Sequence, residues 1–236
     1  MRDARRIVSK AITIAVGVNL DGKREVLGMT VGNSEAETVW TDCLRTLGRR
    51  SLRGSRLVIS DAHEGLKAAI RRVMGASWQR CRVHWMRNAQ SYVGRAQQSM
   101  VSAALRQAFI QPDRATASQT LRHTADQLRG KWPKLSAFID ESETDVLAHM
   151  DFPTQHRSKI HSTNPIERVN KEVKRRADVV GIFPNEASII RLVGAVLLEL
   201  NDEWQLQHRY MQTEAMAELT PPMIEVFPTQ ISTAAE

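Results

Sequence analysis

Two alternating runs joined by Asp21-Gly22 constrain the fold of this chain more than any other feature. Between Ile7 and Val18, the residues Ile12, Ile14, Val16 and Val18 fall on one side, and Ala11, Thr13, Ala15 and Gly17 on the other. That period of two belongs to a β-strand. Asp-Gly between apolar runs favours a tight hairpin turn, so a return strand is expected over about Glu25 to Val31. Met1 to Arg6 is polar, and no element ahead of the first strand is expected to pair with it or cap the sheet.

Past Gly32 the period changes. Ser34 with Glu37 three residues on forms a capping box, and Trp40, Cys43, Leu44 and Leu47 follow at helical spacing up to about Arg49. Leu57-Val58-Ile59 is a short continuous apolar run, which suits a strand covered on both faces. A helix with Leu66, Ala69, Ile70 and Val73 inward comes next, then a short strand around Gln79 to Val83. A hairpin followed by helix-linked strands predicts one mixed sheet whose later strands are parallel.

From Met86 the pattern is almost wholly helical. Met100, Val101, Ala104, Leu105 and Ala108 mark one long helix. Gln111-Pro112-Asp113 and Gly130-Lys131-Trp132-Pro133 break the region into further helices ending near Met150. Asp151 to Thr163 reads as a polar loop. Another helix opens at Asn164-Pro165, with Pro where its missing N–H costs nothing, and a last apolar helix is expected from about Glu186 to Trp204. The apolar stretch Ile189 to Leu200 is shorter than the roughly 20 residues needed to span a bilayer, so it reads as a buried helix and no membrane partner is expected.

Charge narrows the partners. With 33 Lys and Arg against 26 Asp and Glu, the 236-residue chain carries +7. That balance suits a polyanion, because neutralising phosphates releases counterions. Two cysteines are too few for a disulfide framework and fit a reducing cytosol. There is no Gly-rich phosphate loop and no nucleophile-elbow serine, so neither nucleotide binding nor that type of hydrolysis has support.

Four positions carry possible chemistry, each with a plainer alternative. Asp61 follows an apolar strand, where sites of open α/β sheets gather, but Asp61-Ala62-His63-Glu64 also reads as a helix cap. Glu167 heads a basic helix; with Asn164 as cap it is also an ordinary capping-box position on a solvated face. Cys81 and His84 have C-x-x-H spacing, yet a structural zinc site needs four ligands and Cys43 is the only other thiol. Cys81 therefore either packs as a small hydrophobe or supports the site in another way.

Val58-Ile59-Ser60-Asp61-Ala62-His63-Glu64-Gly65, Gln79-Arg80-Cys81-Arg82-Val83-His84-Trp85, Ile160-His161-Ser162-Thr163-Asn164-Pro165-Ile166-Glu167-Arg168-Val169-Asn170 and Val179-Val180-Gly181-Ile182-Phe183-Pro184-Asn185 occur in this order. Together they resemble the Mutator-type transposases of bacterial insertion sequences. The resemblance runs from about Ile7 to Met211. It implies an RNase H-like α/β fold whose mixed sheet lacks its first strand, with an all-helical insertion before the last catalytic helix. The corresponding divisions are 1–85 and 156–211 for the core, 86–155 for the insertion and 212–236 for a flexible tail.

The same resemblance implies metal-dependent DNA cleavage and strand transfer. Asp61 and Glu167 match the second and third carboxylates of an Asp-Asp-Glu triad that holds two Mg²⁺ or Mn²⁺ ions. Cys81 and His84 match a pair that supports the site. Arg168, Lys171, Lys174, Arg175 and Arg176 are the expected DNA-binding cations. Transposon-end and target DNA, a homo-oligomer in the complete enzyme, and a bacterial cytoplasmic, nucleoid-associated location are also implied. The first aspartate of the triad has no match, since Asp3 stands too close to the Ile7 strand. A chain without it is expected not to cut or join DNA alone. A non-catalytic DNA-binding remnant and an RNase H-like nuclease stay open as alternatives.

Overall fold

The computed structural model describes residues 1–3, 6–32 and 37–219. The chain is a mixed α/β protein. Short strands β1 (Arg2–Asp3) and β2 (Arg6–Ile7) pair with each other, and the expected Ile7–Val18 run is interrupted before β3 (Ala11–Val18). β3 pairs antiparallel with β4 (Arg24–Gly32) across the Asp21-Gly22 turn. Helix α1 (Glu37–Arg49) follows; Ser34, its expected cap, lies outside the described residues. Next come β5 (Leu57–Ser60), α2 (Glu64–Met74) and β6 (Ser77–Arg80), with β5 and β6 parallel as expected.

The pairings depart from a single mixed sheet. The described strands form three separate two-stranded pieces, β1–β2, β3–β4 and β5–β6. The hairpin and the parallel pair still share cores. Ala15 and Leu27 pack with Val58 and Leu66 around Leu44, Leu47 and Ile70, and Val18 packs with Leu57 and Ile59. β6 is also shorter than expected, because Cys81 already caps α3 (Arg82–Ser91).

A bulge sets the hairpin's faces. Ala15 pairs with Gly28 and Val16 with Val26, so Leu27 is left over. The extra residue shifts side-chain parity. Val26, Met29 and Val31 therefore join Ile12, Ile14 and Val16 against one helix layer, while Leu27 turns to the α1–α2 side. Arg50 donates to the Leu27 carbonyl at 2.9 Å.

The helical region runs through α4 (Arg95–Phe109), α5 (Arg114–Arg129) and α6 (Pro133–Val146), with breaks at the predicted Pro and Gly positions and one more near Val93. Val101, Leu105, Leu121, Leu135 and Ile139 close around the fully buried Trp85. Met100 faces outward instead, 53% exposed. The expected 151–163 loop contains α7 (Thr154–Ile160). Then α8 (Asn164–Val180) and α9 (Glu186–Leu206) cover the hairpin through Val169, Val173, Ile189, Val193 and Val196.

The start of the tail is also docked, contrary to a loose segment from 212. Glu214–Leu219 is a 3-10 turn with Ala215 and Met216 buried. Gly22, at φ +73°, accepts from the backbone N–H of Tyr210 (2.7 Å) and Met211 (3.0 Å). A Cβ there would lie 2.1 Å from the Met211 carbonyl oxygen, so the close approach needs glycine.

One buried side chain ties the parallel strands to the helical region. Gln79 is wholly buried; it donates to the Val146 carbonyl at 2.9 Å and accepts from the His149 N–H at 2.6 Å. Gln79→Leu strands both backbone groups, and should lower the unfolding free energy by about 2–4 kcal/mol in a urea titration.

Burial, reinforced by the positive charge of Arg82 and the proximity of His161, pushes His149 down to about 3. Unfolded, the same imidazole takes up its proton near the ordinary 6.5. Its contribution to stability is therefore full at neutral pH and is lost as pH falls below about 6.5, by up to about 1.4 kcal/mol per unit. Burial shifts His161 in the same direction. Urea midpoints at pH 7.5 and 5.5 should show this fall, and His149→Gln should flatten it.

Candidate functional site

The parallel pair delivers two residues side by side. Ser60 and Arg80 are the last partners in register, and the ladder extends through Cys81 N–H to the Ser60 carbonyl at 2.8 Å. Asp61 and Cys81 thus leave the carboxyl ends of neighbouring strands together. Trp78 Nε1 holds Ser60 Oγ at 2.8 Å, directly before Asp61.

Asp61 does not cap α2. The cap is His63, whose Nδ1 accepts from the Leu66 N–H at 3.2 Å. An imidazole is a rarer cap than a carboxylate, which is why the sequence pattern pointed to the wrong residue. Asp61 is left with its carboxylate 60% exposed and turned to the other side chains of the site.

His84 sits in the first turn of α3, one helical turn beyond Cys81. Its Nδ1 lies 2.7 Å from Asp61 Oδ1, 3.3 Å from Cys81 Sγ and 3.7 Å from Glu167 Oε1. Arg87 approaches Nε2 at 3.4 Å, and a guanidinium can only donate there. That contact favours the tautomer with its proton on Nδ1, facing the carboxylates.

Glu167 arrives from more than a hundred residues later. The backbone N–H of Arg82 donates to the His161 carbonyl at 2.9 Å, pinning the α7–α8 junction to the start of α3. Thr163 caps α8, so Asn164 is the first helical residue and Glu167 the fourth. The expected capping box is therefore absent, and the carboxylate, 38% exposed, points into the site.

Thr163 is the member of this cluster that sequence reasoning did not single out. Its Oγ1 lies 2.9 Å from Glu167 Oε1, 3.2 Å from Cys81 Sγ and 3.4 Å from Asp61 Oδ1, and its N–H donates to Cys81 Sγ at 3.4 Å. A hydroxyl has one proton, and the shortest of these distances assigns it to Glu167. The buried Cys81 sulfur accepts the backbone N–H, and its thiol can donate to the hydroxyl oxygen. Nothing local in Ser162-Thr163-Asn164 separates this role from an ordinary helix cap.

Asp61, Cys81 and His84 each place one ligand atom within 4.8 Å of the others. The sulfur is inward and already hydrogen-bonded, while the carboxylate oxygens form the open rim. Oxygen donors of that kind suit a hard divalent cation better than zinc.

The expected DNA-binding cations divide. Arg168, Lys171 and Lys174 are exposed. Arg175 lies 2.6 Å from Glu172, and Arg176 lies 2.9 Å from Glu172 and 3.3 Å from Glu199. Arg175 and Arg176 together hold the Glu172 carboxyl at about 2. Their charge is largely neutralised within the fold.

Comparison with known proteins gives a match to the family described as "Transposase, Mutator family" over residues 1–207. The chain is 43% identical over 217 residues to a transposase for insertion sequence element IS1081 from Mycobacterium tuberculosis, covering 92% of this chain and 52% of that protein. It is 42% identical over 208 residues to the IS406 transposase of Burkholderia multivorans, covering 87% and 54%. It is 38% identical over 209 residues to the IS256 transposase in transposon Tn4001 of Staphylococcus aureus, covering 86% and 53%. The chain spans about half the length of these relatives.

Thr163→Val keeps the shape and removes the hydroxyl. It should destabilise the chain by about 1–2 kcal/mol in urea, the magnitude expected when a buried partner is left without its hydrogen bond. Thr163→Ser, which keeps the hydroxyl, should recover most of that stability.

Proposed function

This chain belongs to the Mutator family of transposases, and we propose that it carries part of the site for metal-dependent cleavage and strand transfer of insertion-sequence DNA. The observation that carries the reading is the meeting of Asp61 and Glu167 across the same Thr163 hydroxyl and the same His84 nitrogen. Two carboxylates brought together from 106 positions apart suit binding of a divalent cation, since a positive charge between or beside them relieves their mutual repulsion.

Asp61 and Glu167 would hold Mg²⁺ or Mn²⁺, which supplies Lewis-acid stabilisation of the charge that develops during phosphoryl transfer. Thr163 and His84 orient the two carboxylates, and Cys81 anchors Thr163 from beneath. Two carboxylates are too few for two hard ions with six or more ligands each, so a two-ion site needs oxygens from beyond this pair. We read the hairpin and the parallel pair as parts of an RNase H-like sheet.

Mn²⁺ binding measured by electron paramagnetic resonance tests the assignment without relying on activity. Asp61→Asn and Glu167→Gln should each weaken binding by more than about a hundredfold, beyond the 10–100-fold typical of outer-shell partners. Unchanged affinity in either variant would remove that residue from the site.

A further inference from the structure

Two cations from distant parts of the chain meet over one aromatic ring, and the charge of a third reaches them. Arg24 begins β4; its Cζ lies 4.7 Å from the Tyr210 ring centroid and 4.5 Å from that of Trp204. Lys159 of α7 places Nζ 4.9 Å from the same Tyr210 ring. Arg168 of α8 is close enough for its charge to act on both Arg24 and Tyr210. The backbone holds this arrangement in place, because the Gly22 carbonyl fixes the N–H groups of Tyr210 and Met211.

Among the described residues, no carboxylate is paired with Arg24, Lys159 or Arg168. Arg24 is half-buried, and both burial and the like charge of Arg168 act against its protonated form. Ring faces offset such a charge only in part. The contrast with Arg175 and Arg176 is direct, since those two are matched by glutamates on α8 and α9. An unmatched triple positive charge beside an aromatic ring is the chemistry that receives a phosphate backbone.

Its position also fits. Arg168 is the residue after Glu167, and α7, which carries Lys159, leads directly into the Thr163 turn. We propose that Arg24 and Lys159, held on Tyr210, together with Arg168 of α8, clamp the phosphates of the DNA strand that flanks the carboxylate site. This rests on the reading of the chain as one that handles DNA. The clamp binds backbone rather than base edges, so it contributes affinity and register without sequence preference.

The test is fluorescence anisotropy of the full chain on a labelled duplex across a salt series, with folding of each variant checked by circular dichroism. Lys159→Gln with Arg168→Gln removes two exposed charges and leaves the Arg24–Trp204 packing intact; Arg24→Gln is then added. Lys131→Gln with Lys134→Gln removes the same charge from the helical region as a control. The slope of log affinity against log salt should become shallower by about 0.9 for each phosphate no longer neutralised, or about 1.8 for the double variant, with little change in the control. Wild-type binding with an unchanged slope in the double and triple variants would overturn the clamp and leave DNA handling intact. An equal change in the control would overturn the clamp in favour of diffuse charge. No binding by the wild-type chain would remove both readings.

Discussion

The parallel register of β5 and β6 is the constraint on which the site depends. With Ser60 opposite Arg80 and Cys81 bonded back to Ser60, Asp61 and Cys81 leave adjacent strand ends as neighbours. A parallel ladder fixes direction as well as spacing, so α2 and α3 start from the same edge and His84 is brought back over Asp61. A one-residue slip would turn every side chain of the strand to the opposite face. The site is thus a consequence of strand pairing before it is a consequence of any hydrogen bond within it.

Two buried anchors make that register rigid. Gln79, inside β6, is satisfied by backbone groups of the helical region, so that region is fastened to the strand next to the site. Arg82 N–H fastens the α7–α8 junction to the start of α3, which fixes where Glu167 enters. Trp85, beside this junction, donates to Ser142 Oγ at 2.6 Å and fills the centre of the helical core. The helical region therefore acts as a buttress for the site, while the carboxylate rim stays open to solvent.

Net charge describes this protein poorly; the placement of charge describes it better. The basic stripe of α8 looks continuous from 168 to 176, yet its C-terminal arginines are absorbed by Glu172 and Glu199. Exposed pairs of this kind add little stability, but they remove two cations from the surface field. Among the described residues, Arg168 at the α8 N-terminal end, Arg24 on β4 and Lys159 on α7 have no carboxylate partner.

Much of the architecture was legible in the chain itself. Period-two alternation and Asp-Gly located the hairpin, Pro and Gly located the breaks at 112 and 133, and the order of four segments pointed to the family that the comparisons show. These are local signals, and local physics decides them. What the sequence misplaced were matters of competition between neighbours: His63 rather than Asp61 caps α2, Thr163 rather than Asn164 caps α8, and Leu27 is squeezed out as a bulge. Only the tertiary structure decided that Thr163 would touch three side chains at once, that Arg175 and Arg176 would be neutralised, and that Tyr210 would gather Arg24 and Lys159. Each of those outcomes joins residues through the way surfaces meet, and that meeting is set by how the cores close, which no short window of residues contains.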